Sequence, residues 1–361
     1  MAVAQKVEVP PPIKAEHEAG GRRSSTAESR RTARWILAGL TLLLLAGLWR
    51  PLPRHGADAP IERTDSALFG AVIHRVAAGE PYYSAMGIEL RARGYPSASI
   101  FNWRQPTLFV CVAAAPLVMR TILVGSIVWV IVGTVGLFSR ARSEILVLAV
   151  LAQVGAATTA LTALGVVLPE TWAGLCLALS TLAYARERSR TGAGLAIAGL
   201  FVRDLLLPYV AVCVYLAVRY RRWRELVIWL FGLGAWSAFY AIHASAAMQA
   251  VQPGALAHPS WVQFGGLRFV LATIGFGGWL YLMPPWVAAA ACVLLVSCLW
   301  APPKTTHVKG AVAAYLVFFA VVGQPFNQGW GLLTASTWAI AYGLGVQGLL
   351  TLVRRARGRI D

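Results

Sequence analysis

The sequence predicts an all-α, polytopic transmembrane helical bundle with about ten to twelve crossings, at about 20 residues per span. Of the 361 residues, 58% are hydrophobic and 13% are charged, whereas soluble domains contain about 45–50% apolar and about 25% charged residues. The mean hydropathy is +0.62, and the apolar residues form unbroken blocks. This composition excludes a soluble enzyme, and the unbroken blocks exclude a transmembrane β-barrel, whose strands alternate in polarity.

The charge balance is strongly basic, with 32 Lys and Arg against 15 Asp and Glu and a net charge of +17. Cytoplasmic loops of membrane proteins are enriched in Lys and Arg, and most basic residues here flank apolar blocks. Motifs that bind nucleic acid are absent, so we predict no nucleic-acid partner. The five cysteines lie inside apolar blocks without a CxxC pair, as small buried hydrophobic residues do. We predict no metal site and no cofactor.

The chain begins with a polar tail, residues 1–34, whose composition predicts a disordered cytoplasmic segment. The apolar block that follows, residues 35–49, has no small-residue cleavage site after it and is predicted to be a retained signal anchor. Residues 50–105 then form an outer loop of a transmembrane domain that extends over residues 35–353. The basic residues 354–361 are predicted to be cytoplasmic, like the N-terminus, in an integral protein of the bacterial cytoplasmic (inner) membrane.

The outer loop contains a predicted amphipathic helix. Residues 66–78 place apolar side chains at helical spacing, which predicts a helix on the membrane surface. Asp65 stands immediately before it, where a carboxylate caps a helix N-terminus. Capping is one interpretation of Asp65, and a chemical role is the other. A second segment, residues 91–106, is rich in Arg, Tyr, Trp and Pro.

Residues 192–218 lie between two basic clusters, at 185–190 and 219–224, and both clusters favour the cytoplasmic side. A single crossing would place them on opposite sides, so the segment is predicted to be a hairpin of two short helices. Arg203 and Asp204 interrupt its apolar run at the outer tip, where a charged pair faces water or a ligand.

With the tip of this hairpin outside, the direction in which each neighbouring apolar block crosses the membrane follows. Residues 171–184 then enter the membrane from outside, so that Glu170 opens a helix on the outer face. Residues 106–138 are predicted to contain a kink or dip at Arg120. Residues 252–266 are predicted to be another outer loop.

The order of several motifs resembles the GT-C glycosyltransferases, in particular glycosyltransferase family 87, which uses polyprenol-phosphate-mannose. The motifs in chain order are Asp65, GEPYY at 79–83, Tyr95-Pro96, PETW at 169–172, AGLFVRDLLLPY at 198–209 and Pro325-Phe326-Asn327. The chain departs from the family at YPS in place of YPP, at PETW in place of Gly-Gln-x-Asn, and at Arg203-Asp204 in place of a hairpin lysine.

The resemblance implies transfer of a sugar, mannose in that family, from a polyprenyl-phosphate carrier to a lipid or glycan acceptor at the outer face among membrane lipids. It implies that Asp65 is the base that takes the proton of the acceptor hydroxyl. The departing lipid phosphate needs cations, for which Arg203 and Arg104 are the candidates. The alternatives are that Arg203 only seals the hairpin by pairing with Asp204, and that Arg104 anchors the chain to lipid headgroups.

Further candidates for substrate binding lie on the predicted outer face. Glu170 is either a second acid of the site or a helix cap. Tyr82 and Tyr83 either stack on a sugar ring or belong to the interfacial aromatic belt. The remaining candidates are Asp204, Tyr95, His258, Gln324 and Asn327. For the two amides, satisfying the broken backbone near Pro325 is the alternative, and for His258 the alternative is simple solvation.

Two other classes of function compete with a transferase. A lipid or glycan transporter or flippase predicts charges along a path at mid-membrane and repeated halves with broken helices. A non-catalytic GT-C-like protein of envelope assembly fits the departures from the family motifs.

Overall fold

The computed structural model describes residues 13–49, 64–162, 165–257, 260 and 262–359, and the regular elements in this part of the chain are all helical. The α-helices are α1 (Ile13–Trp49), α2 (Asp65–Ala77), α3 (Tyr82–Ala92), α4 (Thr107–Ala114), α5 (Pro116–Phe138), α6 (Ser143–Leu161), α7 (Pro169–Ala185), α8 (Ser189–Leu200), α9 (Leu207–Arg219), α10 (Trp223–Ala250), α11 (Gly266–Gly275), α12 (Pro285–Ser297), α13 (Thr306–Val321) and α14 (Gly331–Ala356). Short 3-10 helices cover Ile100–Asn102, Asp204–Leu206, Gly278–Leu282, Cys298–Trp300, Pro303–Thr305 and Pro325–Trp330. The predicted all-α class is confirmed for the described residues.

Five helices of the described chain are long and apolar enough to cross a membrane. They are Glu28–Leu48 within α1, then α5, α6 and α10, and the segment Pro325–Ala356. A pair of helices bent by 118°, Pro285–Trp300 and Pro303–Val321, raises the number to six if it forms one span. The sequence predicts ten to twelve crossings. The described chain has fewer helices of membrane-spanning length than this, because α7, α8 and α9 contain only 17, 12 and 13 residues. A span needs about 17–25 residues.

The first helix begins at Ile13 and continues to Trp49, so the helix includes residues 13–34, which the composition predicts to be disordered. The polar part is rich in Ala, Glu and Arg, which are strong helix formers. Extending a helix that already exists also adds one hydrogen bond per residue without a new nucleation step.

The predicted amphipathic helix is present as α2. Its apolar side chains Leu68, Phe69 and Val72 are buried. The ring of Phe69 meets the ring of Phe109 in α4 edge to face, with ring centroids 5.3 Å apart. The apolar face of α2 therefore packs on protein, and not on a lipid surface as the sequence predicts.

A network of ion pairs fastens α2 to α3. Arg75 in α2 lies 2.5 Å from Glu89 in α3 and 3.0 Å from Glu80 in the connecting turn. Glu89 also pairs with Arg93. This network and the apolar contact with α4 therefore attach α2 and α3 to each other and to the rest of the bundle.

The break in the segment 106–138 lies at Ala115, between α4 and α5, and not at Arg120. Pro116 is the first residue of α5, and proline disfavours helical backbone in the residue before it. Arg120 lies inside the regular helix. Proline, and not the charge, thus determines the position of the break.

All five cysteines are free thiols. As predicted, three of them are buried: Cys213, Cys292 and Cys298. The prediction is wrong for Cys111, which is exposed on α4, and Cys176 is partly exposed on α7.

Basic turns after α5, α7 and α9 lie at one end of the bundle. Tyr184, near the end of α7, donates its hydroxyl to Oε1 of Glu225 at the start of α10, at 2.6 Å. Arg186 donates to the carbonyl of Gly133 near the end of α5, at 3.2 Å. These contacts bring the end of α7 next to the end of α5 and the turn before α10.

The end of α14 lies on the same side. This helix starts beside the first turns of α7, where a Cβ on Gly174 would lie only 2.6 Å from the carbonyl oxygen of Leu333. Further along, a Cβ on Gly343 would lie 2.7 Å from the ring of Phe138 at the end of α5, so α7 and α14 run in the same sense. At its other end, Arg34 of α1 donates to the carbonyl of Ala356 at 3.3 Å. We call this the basic end; it is formed by the turns 139–142, 186–190 and 219–224 and by residues 354–357.

The predicted hairpin is present as α8 and α9, with a break at residues 201–206. Its tip lies beside the start of α7, because Arg203 pairs with Glu170. The helix α7 has 17 residues and, at about 1.5 Å per residue, separates its two ends by about 25 Å. We call the end that contains the hairpin tip and the start of α7 the site end.

Candidate functional site

Asp65 is the first residue of α2, and its neighbour Thr64 is the N-cap. The Thr64 side chain accepts a hydrogen bond from the backbone nitrogen of Ala67 at 3.3 Å. The capping interpretation of Asp65 is therefore wrong: a threonine hydroxyl satisfies the helix end. The carboxylate of Asp65 is left available for other contacts, and 48% of this side chain is exposed.

Two side chains from the loop after α3 meet the Asp65 carboxylate. The hydroxyl of Tyr95 donates to Oδ1 at 2.8 Å. Nη2 of Arg104 lies 4.0 Å from Oδ2. Each carboxylate oxygen thus faces one partner, while half of the side chain remains open.

Arg104 is almost enclosed, with 11% of its side chain exposed. Its Nη1 donates to the carbonyl of Phe101 at 3.0 Å, and its guanidinium lies over the ring of Phe69, 5.7 Å from the centroid. Its Nε is buried without a hydrogen-bond partner in the described chain. A buried guanidinium with an unused donor beside a half-open carboxylate is suited to bind an anion.

Arg203 has two acidic partners at the hairpin tip. Its Nε donates to Glu170 at 2.9 Å and its Nη1 to Asp204 at 3.0 Å. The side chains of Arg203 and Glu170 are 7% and 6% exposed. The predicted pairing of Arg203 with Asp204 is present, and Glu170 is added to it as the more deeply buried partner.

The side chains around Asp65 and those around Arg203 form one cluster. We call it the charged cluster, and its members are Asp65, Tyr95, Arg104, Glu170, Arg203 and Asp204. Burial lowers the pKa of Arg104, and the nearby positive charge of Arg203 lowers it further. The amide of Gln105, oriented as a donor, bonds the carbonyls of Leu200 and Phe201 at 2.7 and 3.0 Å. The loop with Arg104 is thereby attached to the end of α8.

Two tyrosines of α3 and a histidine of α10 hold the loop that contains Trp103 and Arg104. Tyr82 is buried and donates its hydroxyl to the carbonyl of Arg104, so its ring is closed to a substrate. Tyr83 is half-buried and bonds Nδ1 of His243 at 3.1 Å, while Nε2 of His243 lies 3.1 Å from the carbonyl of Trp103. Of the two predicted tyrosines, only Tyr83 is open enough to contact a sugar ring.

His243 was not predicted as a site residue. It is buried within α10, with the ring of Tyr240 5.7 Å away. The signal in the sequence is a polar pair, Tyr240 and His243, at helical spacing inside an apolar block. Its importance becomes clear only where the loop that contains Trp103 crosses this helix.

The other candidate residues lie apart from the charged cluster. The amide of Gln324 donates to the carbonyl of Ser260 at 2.7 Å, and Nδ2 of Asn327 is buried without a partner in the described chain. Among the described residues, no hydrogen bond or ion pair joins either amide to Asp65 or Arg104. His258 lies outside the described residues.

Two cavities are present elsewhere in the bundle. One, between α5, α6, α7 and α14, holds about 20 Å³ and includes Gln153 and Thr171 in its lining. The other, between α5, α7 and α8, holds about 440 Å³. Neither is lined by Asp65 or Arg104. In the part of the chain that the structure describes, no group of three or more His, Cys, Asp or Glu side chains is placed to hold a metal ion.

In the part of the chain that the structure describes, the fold is all-helical, with five to six helices of membrane-spanning length and the charged cluster at one end. Comparison of the chain with protein-family models, with curated proteins and with solved structures finds no match. A functional conclusion therefore depends on the chemistry of the cluster.

Proposed function

We propose that this chain is a membrane glycosyltransferase of GT-C type. It transfers a sugar, with mannose as the first candidate, from a polyprenyl-phosphate carrier to a lipid or glycan acceptor at the outer face of a bacterial cytoplasmic membrane. The observation that supports this best is the half-open carboxylate of Asp65, 4.0 Å from the enclosed guanidinium of Arg104. Sugar transfer from a lipid phosphate needs a base and a cation side by side.

In the proposed reaction, the acceptor hydroxyl gives its proton to the carboxylate of Asp65 while its oxygen attacks the anomeric carbon. A new carbon–oxygen bond forms, and the bond between the anomeric carbon and the phosphate oxygen breaks. The polyprenyl phosphate leaves with the electron pair. Arg104 stabilises the charge of the leaving phosphate through donors that are buried beforehand.

Arg203 has a positioning role in this proposal. Its guanidinium is already bound by Glu170 and Asp204, so little of its charge is available to a substrate. Together with Arg104 it balances part of the charge of the three acids of the charged cluster. Its pair with Glu170 joins the hairpin tip to α7.

The proposal places the basic end in the cytoplasm with both chain termini, and the site end outside. A test uses single cysteines in a cysteine-free background. Ser84→Cys lies on an exposed position of α3 and Arg140→Cys on an exposed position of the basic end. An impermeant thiol reagent should label the first in intact cells and the second only after permeabilisation, and the reverse pattern would contradict the orientation.

A transporter requires charges along a path across the membrane. The charged cluster lies at the start of α7, and the next buried acid, Glu225, bonds Tyr184 near the other end of this helix. Between these points, residues 171–183 of α7 contain no charged side chain. This arrangement favours a transferase over a transporter.

The decisive experiment measures transfer of labelled sugar from a polyprenyl-phosphate-sugar by purified protein in lipid. Asp65→Asn should abolish transfer, because the amide cannot accept the proton. Arg104→Gln should raise the KM for the donor and lower kcat, because both ground state and transition state carry phosphate charge.

The matched control is Glu80→Gln, which removes an acid that contacts Arg75 and Ser84 outside the charged cluster. It should retain transfer. Equal activity of Asp65→Asn and Glu80→Gln would eliminate Asp65 as the base, and no transfer by the unaltered chain with any donor would support the non-catalytic alternative.

A further inference from the structure

The larger cavity lies at the basic end, away from the charged cluster. It holds about 440 Å³, within the range of about 300–1,000 Å³ of small-molecule sites. One part of its wall is apolar, with Trp129, Leu179 and Leu195, and two arginines, Arg186 and Arg188, complete it. The cavity therefore combines a long apolar surface with two cations.

The turn after α7 positions these two arginines. The backbone nitrogen of Arg188 bonds the carbonyl of Ala183 at 2.9 Å, which is the long bond of a Schellman cap. Glu187 occupies the left-handed position of this cap, with φ of 61°, where glycine is usual. The chain reverses its direction at Glu187, and Arg186 and Arg188 stand on either side of this residue. Both arginines line the cavity.

In the described chain, neither Arg186 nor Arg188 forms an ion pair with an acid, so no carboxylate occupies either guanidinium. Arg186 donates one N–H to the carbonyl of Gly133 at 3.2 Å, which orients its guanidinium at the cavity. Arg188 is exposed. A ligand with a negative charge is therefore the complementary occupant.

The apolar wall continues onto the outer surface of α5. Trp129 and Val132 line the cavity and are 63% and 57% exposed. Since α5 is one of the helices of membrane-spanning length, this surface faces lipid in a membrane. The cavity therefore opens sideways toward acyl chains, with its cations at the level where the helices α5 and α7 end.

We infer that this cavity binds an anionic phospholipid, with the phosphate at Arg186 and Arg188 and the first part of an acyl chain along the wall formed by Trp129, Leu179 and Leu195. A free phosphate would leave the apolar wall uncovered, and a lipid without net charge would leave the arginines uncompensated. Basic pockets between helices on the cytoplasmic side, where the proposed orientation puts the basic end, suit such headgroups. The inference is independent of the proposed sugar transfer, because the charged cluster lies at the opposite end of α7.

The test uses native mass spectrometry of the full chain in an uncharged detergent, with phosphatidylglycerol or phosphatidylcholine of identical acyl chains. The unaltered protein should bind phosphatidylglycerol at least tenfold more tightly. Arg188→Gln should lose most of this preference while keeping the Arg186 bond to Gly133. Thr191→Phe, at the cavity rim, should weaken binding of phosphatidylglycerol without altering any charge.

The matched control is Arg140→Gln, which removes an exposed charge at the basic end but does not line the cavity, and it should change the affinity less than twofold. An equal loss in Arg140→Gln and Arg188→Gln would overturn the inference in favour of general surface charge. Displacement of the lipid by millimolar inorganic phosphate, or unchanged binding in Thr191→Phe, would overturn it as well. Thermal unfolding of each variant is measured as a control for retention of the fold.

Discussion

The hydroxyl of Tyr95 donates a hydrogen bond to Oδ1 of Asp65 at 2.8 Å, across 30 positions of sequence. Burial raises the pKa of Tyr95, and the negative charge of Asp65 raises it further. The tyrosine therefore remains protonated, and a donor, at neutral pH. It orients the carboxylate so that the second oxygen faces Arg104.

Tyr95→Phe tests whether this bond matters for chemistry. A hydrogen bond to a charged group contributes about 1.5–3 kcal/mol, so its loss should lower kcat for sugar transfer about tenfold or more. The control Tyr215→Phe changes a tyrosine that is 64% exposed on α9 and should leave kcat unchanged. A full kcat in Tyr95→Phe would show that the carboxylate does not need this donor.

The two acids that bind Arg203 should differ in their effect on stability. Glu170 is 6% exposed and Asp204 is 21% exposed. Removing one partner of a buried pair costs about 3–5 kcal/mol, so Glu170→Gln should lower the free energy of unfolding by several kcal/mol. Asp204→Asn should cost clearly less, because water reaches this carboxylate. Denaturant titration of the purified protein measures both, and equal losses would contradict the assigned geometry.

The ion pairs between α2 and α3 predict a pH dependence. Burial alone would raise the pKa of Glu89, but hydrogen bonds from Arg75 and Arg93 outweigh this effect and lower it. A carboxylate whose pKa is lower in the folded state stabilises the fold above its unfolded pKa of about 4.3, and this contribution is lost as the pH falls through the folded pKa. The protection factors of the α3 amides, which compare the measured exchange rate with the intrinsic rate at each pH, should therefore fall below about pH 4.3.

Glu89→Gln should remove this part of the acid dependence and should exchange faster at neutral pH, because the ion pairs are then already lost. The control Glu144→Gln changes an exposed acid at the start of α6 that has no ion pair in the described chain. If both variants retain the acid dependence of the unaltered protein, the network does not hold α3.

Glu187→Gly should stabilise the protein. Left-handed backbone costs an L-residue about 1–2 kcal/mol, and Glu187 has a φ of 61°. The loss of chain entropy of glycine offsets part of this gain, so the net increase in the free energy of unfolding should be up to about 1 kcal/mol. The control Ala185→Gly, at the last position of α7, should instead destabilise by up to about 1 kcal/mol. Thermal unfolding of the two variants should shift in opposite directions.

The sequence by itself predicts those features that depend on short stretches of chain. The apolar blocks predict the helical class, and the two basic clusters around residues 192–218 predict the hairpin of α8 and α9 with Arg203 at its tip. The spacing of Leu68, Phe69 and Val72 predicts α2. Helical spacing of apolar residues and the position of basic clusters are properties of short stretches of sequence, so they can be recognised without knowledge of the fold.

The tertiary structure decided which side chains meet. The partner of Arg203 across 33 positions is Glu170, and Asp65 is bound by Tyr95 and Arg104 instead of capping its own helix. Such contacts depend on how each helix is rotated and on the path of the loop after α3, and neither is encoded in a local pattern.

The same reason explains the two features that the sequence did not predict. His243 contacts the loop that supports the cluster only because α10 passes beside this loop, and Arg186 and Arg188 line a cavity only because the turn after α7 lies against α5 and α8. Hydrophobicity and charge predict the all-helical class, the apolar helices of membrane-spanning length and the basic end, all of which are present in the described chain. Packing between distant helices decided where its carboxylates and guanidinium groups meet, because that depends on the geometry of the whole bundle.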